Sequence, residues 1–211
     1  MVDFPNPPID GHPPMFLNNF RNLPNFTAIQ LHGSYMGFAG LNGEVCMTPI
    51  TSQTKKSCLS LKHLAQLDTS KTEWLEIQCS EFPPSGHLHR MLLPMKTLRT
   101  ITLYQCKPLH SFIIALDPTM SPSGAVVCPK LEELVIEHKG VVDIKDVIGM
   151  AAARASGGAK LRSLRVVSCC GTVSRRLNVL ELELEKHVLD VEYRREVDGA
   201  GNDGGDSDEG D

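Results

Sequence analysis

The sequence predicts an α/β fold: a short, irregular solenoid with parallel strands on its concave face and helices or turns on its convex face. Three observations carry this expectation. The stretch "LRTITLYQC" (Leu98–Cys106) has apolar residues at its first, fourth and sixth places and a cysteine at its ninth, and the spacing returns in "LEELVIEHK" from Leu131 and "LRSLRVVSC" from Leu161. The segments between these runs carry helical rather than alternating periodicity. With 41% hydrophobic residues over 211 positions, the chain can fill one core.

Taken in order, residues 1–21 form a proline-rich arm whose Pro5, Pro7, Pro8, Pro13 and Pro14 remove backbone donors and favour an extended, disordered chain. The folded part is expected over residues 22–195. Six strands align on the opening motif: "FTAIQLHGS" from Phe26, "TEWLEIQCS" from Thr72, the three above, and "KHVLDVEYR" from Lys186. Their starts lie 46, 26, 33, 30 and 25 residues apart. Periods in the twenties and low thirties belong to leucine-rich repeats, each unit giving one short strand and a return segment. One unit cannot cover its own apolar face, so neighbours must stack. The gap of 46, around "GFAGLNGEVCMTPITSQTKK", is either an insertion or a degenerate unit.

Helical return segments are expected at "CLSLKHLAQL", "LHSFIIAL", "DIKDVIGMAAARASGG" and "VSRRLNVLELEL". In the third, Ile144, Val147, Ile148 and Ala151 recur at helical spacing, Asp143 caps the start and Gly157-Gly158 ends the helix without Cβ strain. A strand, a helix and a further strand in one sheet favour a right-handed crossover. Residues 196–211, glycine and acid with almost nothing apolar, form a disordered tail.

The net charge of -4 comes from that tail. Seven of the 25 acids follow the last basic residue, Arg195, which leaves 18 against 21 Lys/Arg, a body near neutrality. Nucleic acid binding needs a concentrated cationic face. The one candidate, Lys160, Arg162, Arg165, Arg175 and Arg176, is explained by a solvated repeat edge, so no nucleic acid partner is expected. Seven cysteines, two of them adjacent, cannot make a complete disulfide framework, which favours a reducing compartment. The N-terminus has an acid and prolines where a signal peptide carries basic and apolar residues. No segment approaches the roughly 20 apolar residues of a membrane helix. A cytosolic or nuclear location is expected, with no membrane partner.

These repeats resemble the leucine-rich-repeat region of F-box proteins, particularly divergent fungal ones, over about residues 23–195. The likeness rests on Leu-x-x-Leu-x-Leu-x-x-Cys strands of uneven period, as in "LRTITLYQC" and "LRSLRVVSC". It implies the substrate receptor of a ubiquitin ligase, whose repeats hold the target while the F-box holds the adaptor. The residues before position 23 are too few for an F-box. Direct adaptor binding is therefore not expected from this chain, which is either part of a longer product or has lost that role. The alternative reading is a solo repeat scaffold or inhibitor unconnected to ubiquitin.

Alternation places the candidate partner-binding residues. If Ile101 and Leu103 enter the core, Thr100, Thr102 and Tyr104 face outward. The same rule exposes Trp74, Glu76 and Gln78; Glu133, Val135 and Glu137; and Ser163, Arg165 and Val167. Stacking would align them into a ladder on the concave face, where Trp74 and Tyr104 offer large apolar area with few torsions to freeze. Trp74 has a second reading, filling the irregular join after the long gap.

Cys79, Cys106 and Cys169, with His87 and His89, raise a metal site, but the ninth place of each repeat is where the chain turns out of its strand and a small side chain stacks on its neighbour. No Cys-x-x-Cys pair, Gly-x-Ser-x-Gly elbow or phosphate-binding loop is present. The expectation is a non-enzymatic protein-recognition module with no metal and no cofactor.

Overall fold

The computed structural model describes residues 26–32, 35–40, 45–49, 64, 67–78, 81–121, 124–138, 142–168 and 177–195. The proline-rich arm, the acidic tail, Cys79, Cys169, Cys170, Arg175, Arg176 and most of "CLSLKHLAQL" lie outside them.

The chain folds as α/β, with four helices among the described residues and an open sheet that is mostly parallel. Strands β1 (Phe26–His32), β2 (Tyr35–Gly40), β3 (Val45–Pro49), β4 (Trp74–Gln78), β5 (Thr100–Tyr104), β6 (Glu133–His138), β7 (Leu161–Ser168) and β8 (Val188–Arg195) stand in the order β3-β2-β1-β4-β5-β6-β7-β8. From β1 through β4 to β8 every pairing is parallel. The long gap resolves at the other end: β2 and β3 pair antiparallel. Only Gly33-Ser34 separate β1 from β2, and a parallel return needs a dozen or more residues, so this chain can only double back. The gap is an insertion that extends the sheet by a meander.

The repeat is visible in the backbone. Arg99 and Thr100 N–H donate to the Glu73 carbonyl, Glu132 and Glu133 to Arg99, and Arg162 and Ser163 to Glu132. The fourth place of each motif falls in one row, Leu75, Ile101, Leu134 and Leu164, and the sixth in another, Ile77, Leu103, Ile136 and Val166; all are buried. The last unit differs from its sequence alignment. Leu164 pairs with Val191 and Val166 with Tyr193, so the unit starts at Val188, two residues later than the reading from Lys186. "VLDVEY" satisfies the same spacing, and its buried Val188 fills the first place.

Helices α1 (Ser85–Leu92), α2 (Leu109–Leu116), α3 (Ile144–Ser156) and α4 (Leu177–Glu185) pack in sequence order, each beside the next, and share one hydrophobic core with the buried rows of the sheet. Three fall where helical return segments are expected. α1 is additional, and its signal was legible: Leu88, Met91 and Leu92 are spaced for one helical face directly after Pro84. Asp143 caps α3 through its Oδ1, which accepts from Lys145 N–H at 3.0 Å. The chain leaves that helix through Gly157 and Gly158, and Gly158 takes the positive φ of 76°.

Candidate functional site

The twelve side chains expected on the sheet's open face fall into three rows. Trp74, Thr100, Glu133 and Ser163 are cross-strand neighbours, as are Glu76, Thr102, Val135 and Arg165, and then Gln78, Tyr104, Glu137 and Val167. Strands about 4.8 Å apart make this one continuous surface. Among the described residues no helix packs over these rows, and Tyr104 is 38% exposed. Trp74 is half-buried in its row rather than sunk in the core.

Val167 departs from the expectation. It lies on the ladder face in register but is only 5% exposed. Its neighbours in the row are Glu137 and Arg194, whose longer side chains flank a short one on an interior strand. Val167 is therefore floor rather than contact surface.

The rows extend onto β8, where Asp190, Glu192 and Arg194 neighbour Ser163, Arg165 and Val167. On β4 to β8 the face then holds five carboxylates (Glu76, Glu133, Glu137, Asp190, Glu192) against two guanidinium groups. Arg165 Nε lies 3.2 Å from Glu192 Oε2, and Arg194 pairs with the same carboxylate. Arg165 is thus committed to an ion pair, which breaks up the basic cluster read from sequence. Glu76 accepts from the Gln30 amide at 2.8 Å and also from Gln78. Thr100 Oγ1 donates to Glu133 Oε2 at 3.3 Å. The surface is polar, acidic and cross-linked between strands.

Cys106 behaves as the turn reading requires: it is buried, and its thiol donates to the Ile77 carbonyl of the preceding repeat at 3.2 Å. Cys128 is also buried, and loss of solvent pushes its thiol up to about 12. Neither is placed for thiolate chemistry. Among the described residues no three His, Cys, Asp or Glu side chains converge to hold a metal ion. His87 and His89 instead line a cleft of about 450 Å³ between α1 and α2, with Arg90, Ile114 and Met120. Ser121 Oγ lies 3.3 Å from His89 Nε2 there, and among the described residues no carboxylate bonds to that histidine to complete a triad.

Sequence reasoning missed Arg154. The last turn of α3 carries it fully into the core, where it donates to the Val127 carbonyl at 2.7 Å and the Cys128 carbonyl at 2.9 Å. The negative end of the α3 dipole and these two carbonyls take the place of a counter-ion. Burial lowers its pKa from the ordinary arginine value. Arg154 clamps the loop before β6 and so fixes where the ladder's third strand begins.

No helix among the described residues is long and apolar enough to cross a membrane. The chain matches no protein-family model, no curated protein and no solved structure.

Proposed function

We infer that this protein is a noncovalent protein-recognition module that holds its partner on the open face of the parallel sheet. The observation that carries this reading is the in-register polar face across β4 to β7, with Tyr104 and Trp74 placed as anchors. A parallel sheet usually has both faces covered by helices and reads as continuous apolar runs. Here one face is polar, and among the described residues no element covers it. The repeated Leu-x-x-apolar-x-apolar units support the finer architecture, a short leucine-rich-repeat solenoid with this face concave. The Leu-x-x-Leu-x-Leu-x-x-Cys spacing supports the wider reading, the substrate-binding region of an F-box-type ubiquitin ligase receptor acting in the cytosol or nucleus.

A photo-crosslinking amino acid placed singly at Thr102, Val135 or Tyr104 tests the surface in cells of the source organism. The expected result is one shared protein adduct from all three positions, lost when Thr100→Arg blocks the face. Adducts arising instead from helix-side positions such as Lys145 or Glu181 would overturn the assignment. Binding of the isolated chain to the ligase adaptor in calorimetry would show that these 211 residues carry an adaptor-binding surface of their own.

A further inference from the structure

The β8 end of the sheet carries three features that the recognition face does not use. β8 is eight residues long and stands at one end of the sheet, with no neighbour on its outer side among the described residues. Beside it stand large apolar side chains in solvent: Leu189 at 73% exposure, and Val179 and Leu182 of α4 at 66% and 60%. Asp190, Glu192 and Arg194 alternate along the ladder side of the same strand. Proteins blunt exposed strand edges with proline, bulges, short strands or charged side chains; β8 has no proline and pairs with β7 without a register shift, and its charges change sign from Asp190 and Glu192 to Arg194, so that an antiparallel copy can complement them.

We propose that β8 is a homodimer interface, pairing antiparallel with β8 of a second copy about a two-fold axis normal to the sheet. Such an axis keeps both helical layers on one side and both ladders on the other. Residues directly opposite one another must then share a face, so residue i meets residues of the same parity. Centring the axis on Glu192 sets Asp190 against Arg194 of the partner copy, twice by symmetry, and Val191 against Tyr193. Centring it on Val191 would oppose Asp190 to Glu192 and is rejected by charge. At the axis each Glu192 is already neutralised by Arg165 and Arg194 of its own chain. Arg194, with five donors, can serve Glu192 and the partner's Asp190 together.

The apolar residues fit the same operator. Leu189 follows the buried Val188 at the start of β8, the strand that α4 packs against, and is exposed like Val179 and Leu182 of that helix. In this register the partner strand runs past Leu189 near each end of the paired strands while the ion pairs close around the axis. The interface is isologous, the same patch on both subunits, as closed dimers require. The occupant is a second copy because the strand's own charges are complementary to their antiparallel image.

Sedimentation velocity of the full chain across the micromolar range reads the result. The wild type should move from 23.2 kDa to twice that mass as concentration rises. Asp190→Arg and Arg194→Asp should each weaken the dimer about tenfold or more, since each turns two cross-strand attractions into repulsions. The double swap should regain most of the loss. Leu189→Lys should weaken the dimer by removing apolar area that the partner strand covers. A wild type that stays monomeric, a dimer indifferent to these changes, or a double swap no better than the singles would overturn the proposal. Should Arg194→Asp unfold the chain by circular dichroism, Asp190→Arg and Leu189→Lys, both at exposed side chains, decide it alone.

Discussion

The two faces of the parallel sheet are built from the same strands and differ in almost everything else. On one, Leu75, Ile101, Leu134 and Leu164 are buried under four helices. On the other, one residue further along each strand, Glu76, Thr102, Val135 and Arg165 stand partly in solvent, with Glu76 bonded to Gln30 and Arg165 paired with Glu192 on neighbouring strands. The contrast shows how division of labour arises in this fold. Stability is concentrated on the helical face, while the open face carries the polar side chains. A substitution should therefore cost much on one face and little on the other.

Arg154→Ala should be the most damaging change, about 3–5 kcal/mol in urea unfolding. It empties a core position and takes a charged donor from the buried Val127 and Cys128 carbonyls, the second of which keeps its bond from Leu131 N–H. A loss under about 1 kcal/mol would show that the clamp is dispensable. Next, Leu134→Ala should cost about 2–5 kcal/mol by cavity formation, against less than about 1 kcal/mol for the adjacent, half-buried Val135→Ala. Equal losses at the two positions would break the comparison of faces. Val167 sharpens it from the other side. Although it lies on the ladder, its burial predicts that Val167→Ala costs about 1–2 kcal/mol, more than any polar ladder position.

His138 gives the comparison a pH axis. It is the last residue of β6, buried on the helical face, and its Nδ1 has no hydrogen-bond partner among the described residues. Burial first, then the nearby Lys107 charge, hold its folded-state pKa below the ordinary 6.5. The unfolded chain therefore takes up the proton first. Stability from this residue is present above pH 6.5 and declines as pH falls from there toward the folded-state value. Melting temperatures taken on acidification should drop in that window, and His138→Asn should flatten the drop. Smallest of all, Glu133→Gln on the open face should shift stability by less than about 0.5 kcal/mol while altering partner affinity. A large shift in its melting temperature would mean that the acidic face is structural.

Much of this division was written locally. Leu98, Ile101 and Leu103 could be placed from their spacing because a strand alternates its side chains with period two whatever surrounds it. The helix over Ile144–Ser156, with its Asp143 cap and Gly157-Gly158 exit, was equally legible, since capping involves only residues a few positions apart. The ladder from Trp74 to Val167 followed from the same local rule, and the in-register stacking of its rows agrees with it.

What escaped the sequence depended on which strand lies beside which. The hairpin of β2 and β3 reads as apolar residues and glycines like any insertion, and only its pairing with β1 makes it antiparallel. Lys186 and Val188 offer two motif starts, and β7 selects the second by pairing Leu164 with Val191. Val167 has the alternation of an exposed residue, and its flanking neighbours bury it. Leu189 has the character of a core residue, and the end of the sheet exposes it. Arg154 reads as one more charge in the last turn of a helix until the carbonyls of Val127 and Cys128, more than 25 residues earlier, arrive to receive it. The sequence by itself determined which side chains alternate, turn and cap, because those are properties of a few adjacent residues. Tertiary structure alone decided which of them are covered, because burial belongs to the neighbours that the fold brings.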